Sequence, residues 1–238
     1  MPNVYAFIPA RAGSNRLPNK NALPFHGRPL YEWTVEFAIR CGLFDEIYVS
    51  SDMGEVRERV PDECIVLERP SHLADSNATL LELIQHTILH QNWDKKDILV
   101  LLPVTGPLRV KRDLEEGLQL FQANKAERTI VPVSLNLHPP ALLWEIDDGY
   151  LSPRETSDDP KFTQKHKHRP TYVWNDIFIL DSCQNWLDKN RNLYGDKPIP
   201  LEIPAERNMP IDYPVQFHLA ETLFPPVDEL TGNKEWDV

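Results

Sequence analysis

Arg11, Arg16 and Lys20 crowd into the stretch "IPARAGSNRLPNKN", residues 8–21, and Arg28 follows a few positions later. A phosphate group is held by backbone N–H donors, by small residues that let the backbone approach, and by surrounding cations. Ala12, Gly13 and Ser14 offer the amides and the small side chains, and the four cations offer the charge. The spacing is neither the GxxxxGK[ST] of a Walker A loop nor the GxGxxG of dinucleotide binders. Most basic loops are only solvated surface. Here the loop directly follows an apolar run, and the chain around it is acidic, with 25 Lys+Arg against 36 Asp+Glu and a net charge of −11. A basic loop in such a chain needs a local cause, and a bound polyanion supplies one.

Other reactive residues are sparser. The cluster "QKHKHRP", residues 164–170, carries Lys165, His166, Lys167, His168 and Arg169, which read either as a solvated tip or as partners for a substrate carboxylate. Asp212, in "MPIDYP", precedes a helix that Pro214 is placed to start, and on its own reads as an N-cap. None of the eight His residues has metal-site spacing, so no zinc is expected. Cys41, Cys64 and Cys183 are odd in number, widely spaced and without a CxxC pair, as ordinary buried thiols of a reducing compartment are. The net acidity speaks against nucleic acid. There is no apolar run of roughly 18 residues and no signal-peptide pattern at the start. A soluble cytoplasmic protein is the expectation.

The elements that position these residues alternate in type. "VYAFIPA", "EIYVSSD", "CIVLERP", "DILVLLPV" and "TIVPVSL" read as strands, apolar throughout, as parallel strands buried on both faces are. Between them, "PLYEWTVEFAIRCG", "NATLLELIQHTILHQN" and "RDLEEGLQLFQANK" show helical periodicity, the second with Asn77 as N-cap candidate. Over residues 1–135 this alternation predicts a doubly wound α/β sheet with ligands at the carboxyl ends of its strands. Residues 136–170 break the pattern with Pro, charge and His, and a hairpin is expected in "LLWEIDDGYLSP", turning on Asp148-Gly149. We read this stretch as an arm inserted in a single domain spanning 1–238, since 238 residues at 41% hydrophobic can bury one sizeable core. "TYVWNDIFIL" reads as one returning strand, and a short helix follows Pro214.

With these residues in view, "IPARAGSNRLPNKN" resembles the opening motif of the acylneuraminate (CMP-sialic acid) cytidylyltransferases, close to IPARxGSKRxPxKN. The likeness continues in order through "GRPLYEWTVEFA", "FDEIYVSSD", "ERPSHLADSNAT", "LLPVTGPLR", "RPTYVWNDIFIL" and "PIDYP", about residues 4–220. The resemblance implies a Rossmann-like nucleotidyltransferase fold, a Mg²⁺-dependent transfer of CMP from CTP to an acidic sugar with release of pyrophosphate, and homodimers built through the arm. It places Arg11 and Lys20 on the triphosphate, with Ala10, Ala12, Gly13, Ser14 and Asn21 around the nucleotide, and Arg69 and Ala78 on the cytosine. Thr105, Arg109, Lys165, Arg169 and Asn175 fall to the acceptor, and Asp212 to the metal and to catalysis. The chain departs from the pattern at Asn15, Leu80, Pro103, Gly106, Asp176 and Pro210. Two further readings therefore stay open: a nucleotidyltransferase with another base or acceptor, such as a Kdo-like acid, and a nucleotide-binding homologue impaired in catalysis.

Overall fold

The computed structural model describes residues 2–14, 16–75, 77–125, 127–138, 142–154, 164 and 169–223. The apolar run Val4–Pro9 becomes strand β1, whose side chains go alternately to two cores: Ala6 and Ile8 to one, Tyr5 and Phe7 to the other. A minute hairpin, β2 (Pro24–Phe25) and β3 (Arg28–Pro29), leads into helix α1 (Leu30–Cys41). Then come β4 (Glu46–Ser51), α2 (Gly54–Arg59), β5 (Cys64–Glu68), α3 (Ser71–Ala74), α4 (Leu80–Gln91), β6 (Ile98–Leu101) and α5 (Lys111–Ala123). The second half holds β7 (Ile130–Leu135), β8 (Trp144–Asp147), β9 (Tyr150–Pro153), β10 (Tyr172–Trp174), β11 (Ile179–Ser182), α6 (Cys183–Trp186), β12 (Ile199–Glu202) and α7 (Pro214–Leu223).

The main sheet runs β10-β7-β11-β6-β1-β4-β5, with β12 parallel beside β7. Strands β1, β4, β5 and β6 are mutually parallel, as the unbroken apolar runs predict. Strand β11 is antiparallel to both of its neighbours, β6 and β7. From β1 the chain first builds outward through β4 and β5, then crosses to β6 on the other side. At such a reversal the connections leave in opposite directions and open a crevice at the strands' carboxyl ends. One core, with Leu30, Trp33, Leu114, Phe121 and Phe217, covers one face of the sheet; the other holds Leu83, Ile84, Ile88 and Trp186. Among the described residues no helix is long and apolar enough to cross a membrane.

Three local expectations are settled here. The hairpin turns where the Asp148-Gly149 pair places it, with φ of 46° and 81°, the positive pair a two-residue I′ turn demands. Among the described residues, strands β8 and β9 pair only with each other, and all their residues are exposed. "TYVWNDIFIL" is two strands rather than one, because residues 175–178 leave the ladder between β10 and β11. Helix α4 is capped by Thr79, not Asn77: the Thr79 hydroxyl accepts from Glu82 N–H at 3.2 Å while Glu82 accepts from Thr79 N–H at 2.7 Å. Asn77 N–H turns back to the Asp75 carboxylate at 2.8 Å instead.

Candidate active site

A cleft of about 400 Å³ opens at the carboxyl ends of β1 and β6. Its described lining carries four cations, Arg11, Arg16, Lys20 and Arg69, and no carboxylate. The floor is the loop after β1. Gly13 sits at φ +70°, a left-handed position that glycine takes without strain, and both Gly13 and Ser14 face the cleft. Asn21, also on the wall, donates its amide to the Arg11 carbonyl at 2.9 Å and so ties the two ends of the loop together. Ala12 N–H donates to the Asp52 carboxylate at 2.7 Å, which fixes the loop against the end of β4 and removes that amide from the donors left for an anion. Arg11 donates to the Asp75 carbonyl at 3.1 Å, just past α3.

Asp212 stands behind the cations. Its Oδ1 accepts from Lys20 Nζ at 2.8 Å and from Arg16 at 3.0 Å, and Arg16 lies 5.5 Å over the Tyr213 ring. It is not the cap of α7. The N–H groups of Asp212 and Tyr213 are satisfied by the Gln216 side chain, both at 2.9 Å, which leaves the carboxylate to the cleft's cations. The segment is anchored twice: Ile211 N–H donates to the Thr105 carbonyl at 2.9 Å, and buried Arg207 grips Asp113 of α5 through two bonds of 2.5 and 2.9 Å.

The remaining walls are less polar. Leu73, Ala78, Leu80 and Leu83 form an apolar flank beside Thr79 and Arg69. Arg69 is almost entirely buried. Its Nη2 donates to the Ser50 carbonyl at 3.2 Å, and its Nε has no partner among the described residues. Burial pushes its guanidinium down to about 10, with Asp52 pulling the other way, so it stays a cation at neutral pH. Pro103, Val104 and Thr105 close the third side.

Not every expected residue reaches this cleft. Ala10 is fully buried in the core, its N–H bonded to Ser50 O at 2.9 Å. Arg28 turns away to Glu32 and Glu36 at 3.3 and 2.5 Å, and lies 4.9 Å over the Trp33 ring. Arg109 is buried beneath the cleft, where its Nη2 donates to the Pro103 carbonyl and its plane lies 5.7 Å over Phe37; burial holds it down at about 10. Asn175 is buried just past the end of β10, donating to Ser134 Oγ at 2.9 Å. Arg169 is exposed and away from the lining. Lys165, His166, Lys167, His168 and Asn15 lie outside the described residues.

Residues passed over in sequence also matter. Thr79 was legible as the first residue of a T-x-x-E capping box, and Asp52 as an acid at a strand's carboxyl end. Asp176, buried behind Thr105, accepts a hydrogen bond from the Thr105 hydroxyl. Gly106 packs against the backbone of the same residue: a Cβ there would lie 1.7 Å from the Asp176 carbonyl oxygen.

Comparison with known proteins completes the picture. A family profile described as cytidylyltransferase matches residues 5–127, just over half the chain. N-acylneuraminate cytidylyltransferase of Streptococcus agalactiae is 26% identical over 86% of this chain and 49% of its own length. Pseudaminic acid cytidylyltransferase of Campylobacter jejuni is 33% identical over 50% of this chain and 53% of its own. CMP-N,N'-diacetyllegionaminic acid synthase of Legionella pneumophila is 26% identical over 92% and 95%. The chain therefore spans about half the length of the N-acylneuraminate enzymes it matches. Among solved structures, a CMP:2-keto-3-deoxy-manno-octonic acid synthetase complexed with CTP superposes with a TM-score of 0.68 over 93% of this chain and 98% of that one, at 18% identity. At that identity the likeness establishes the fold alone.

Proposed function

This chain belongs to the cytidylyltransferase family, and we propose that it transfers CMP from CTP to a sialic-acid-like sugar acid with release of pyrophosphate. The observation that carries this reading is the cleft itself, with four cations and no carboxylate in its described lining, at the carboxyl ends of β1 and β6. Arg11, Arg16 and Lys20 meet the triphosphate, Gly13 and Ser14 approach it closely, and the apolar flank with Arg69 receives the base. Phosphoryl transfer needs mainly positioning and neutralisation of charge on the oxygens. Asp212 shares its single charge between Lys20 and Arg16; a bound triphosphate would take those cations over and release the carboxylate.

That released carboxylate is what suits Asp212 to Mg²⁺. Mg²⁺ commonly takes one or two carboxylates plus phosphate oxygens and water. Among the described residues no group of three or more His, Cys, Asp or Glu could hold a metal, so Asp212 would hold the ion together with the nucleotide. The bound ion would add charge neutralisation on the phosphate oxygens.

Two further points belong to this reading. The exposed apolar residues of β8 and β9 favour a homodimer formed through the arm. The three cysteines are free and buried, which suits the reducing cytoplasm. A second reading, with another base or acceptor, is favoured by Leu80 and Pro103, whose apolar side chains both line the cleft. One experiment tests both: pyrophosphate release with CTP, UTP, ATP or GTP against N-acetylneuraminic, legionaminic, pseudaminic and Kdo acids, with Mg²⁺. Turnover with CTP and a nine-carbon acid is expected. Nucleotide binding without turnover for any pair would make the protein a binder rather than an enzyme.

A further inference from the structure

Thr105 lines the cleft immediately after β6, and its single hydroxyl proton is donated to Asp176, which is buried behind it. A hydroxyl carries one proton and two lone pairs. With the proton committed inward, Thr105 Oγ1 can only accept from whatever occupies the cleft, so it selects a donor such as a sugar O–H. The arrangement is held from several sides. Ile211 N–H fixes the Thr105 carbonyl at 2.9 Å, and Gly106 leaves room for the Asp176 backbone at the place where a side chain would stand.

We propose that Thr105 and Asp176 form a proton relay for the attacking hydroxyl of the acceptor, with Thr105 as the catalytic residue and Asp176 as the positioning residue behind it. The proposal rests on the transferase reading above. As the acceptor oxygen bonds to the α-phosphorus, the bond from that phosphorus to the pyrophosphate oxygen breaks and its electron pair leaves on pyrophosphate. The acceptor's O–H proton passes to Thr105 Oγ1 while the proton already there passes to the Asp176 carboxylate. Atoms and charge balance without a further reagent. The charged and titratable groups around Asp176 are Arg109 from beneath the cleft, Lys20 and Asp212 from the phosphate side, and Tyr194. Burial raises the Asp176 carboxyl to about 6, against the pull of Thr105, Arg109 and Lys20 and with the push of Asp212. A base poised there is ionised at neutral pH and still holds a proton well.

The test compares wild type with Asp176→Asn, Thr105→Val and Thr105→Ser. Rates with CTP, Mg²⁺ and N-acetylneuraminic, pseudaminic or N,N'-diacetyllegionaminic acid are followed from about pH 5 to about pH 9, beside CTP affinity by calorimetry and thermal melting. Wild-type kcat should fall on the acid side as the Asp176 carboxylate takes up its proton. Asp176→Asn and Thr105→Val should each lose about 10²-fold in kcat and flatten that acid limb, with CTP affinity little changed and melting not lowered. Thr105→Ser, which keeps the hydroxyl, should recover most of the rate. An active wild type whose Asn and Val variants keep both kcat and the acid limb overturns the relay alone. Variants that lose CTP binding or melt early in proportion to their lost rate assign the pair a structural role and also overturn it. A wild type inactive with every acceptor overturns the transferase reading and the relay together.

Discussion

At the scale of single residues, Asp212 decides most. Asp212→Asn removes a charge facing Lys20 and Arg16 but leaves the Gln216 bonds that close the start of α7. Partly exposed ion pairs contribute about 0–1 kcal/mol, so melting should move little, whereas CTP turnover across a Mg²⁺ titration should fall by about 10²–10³. Lys20→Ala should weaken CTP far more than CMP in calorimetry. Arg28→Ala, whose cation serves Glu32 and Glu36, should weaken neither. Asp176 gives a pH signature of its own. Its carboxyl is raised to about 6 from below 4, so the native chain keeps a proton that the unfolded chain releases, and stability is lost as pH rises through that window. Asp176→Asn carries no charge at any pH. It should match wild type near pH 4 and exceed it above pH 6 by on the order of 2–3 kcal/mol in denaturant titrations. The sequence made the cleft position of Arg11, Arg16, Lys20, Gly13 and Ser14 legible because residue type and chain position suffice there, but not that Arg28 turns to Glu32 and Glu36. It did not reveal that Arg109, Asn175 and Ala10 point inward, because at a strand end side-chain direction is set by packing with elements distant in the chain.

The elements carry the site by how they begin and end. Helix α4 places Leu80 and Leu83 on the apolar flank, and its start is set by the Thr79–Glu82 box. Thr79→Ala should cost about 1 kcal/mol in urea unfolding, while Asn77→Ala should be close to neutral. The shift of the cap from Asn77 to Thr79 shows why helix ends were read less well than helix bodies. Both residues are good caps by type, and Glu82 decides between them by answering three positions later. Strand bodies were legible from their unbroken apolar runs. The break within "TYVWNDIFIL" was not, because Asn175 and Asp176 leave the ladder to bond with Ser134 and Thr105, partners 41 and 71 positions away.

At the scale of the whole molecule, the alternation of strands and helices announced a parallel sheet, but not that β11 would enter it antiparallel between β6 and β7. The hairpin β8–β9 pairs Trp144 with Pro153 and Ile146 with Leu151, which sets Trp144, Ile146 and Leu151 on one exposed face. If that face joins two copies, light scattering at micromolar concentration gives a dimer, and Ile146→Glu with Leu151→Glu gives a folded monomer. A monomeric wild type would rule this out. The bond between Lys20 and Asp212 joins residues 192 positions apart. On a ribosome adding roughly 5–20 residues each second, Asp212 is made roughly 10–40 s after Lys20. Throughout that interval the nascent chain carries its basic loop without the internal counter-charge, which arrives only when the segment from Arg207 to Asp212 docks. Competence to exchange that carboxylate for a nucleotide is therefore acquired near the end of synthesis.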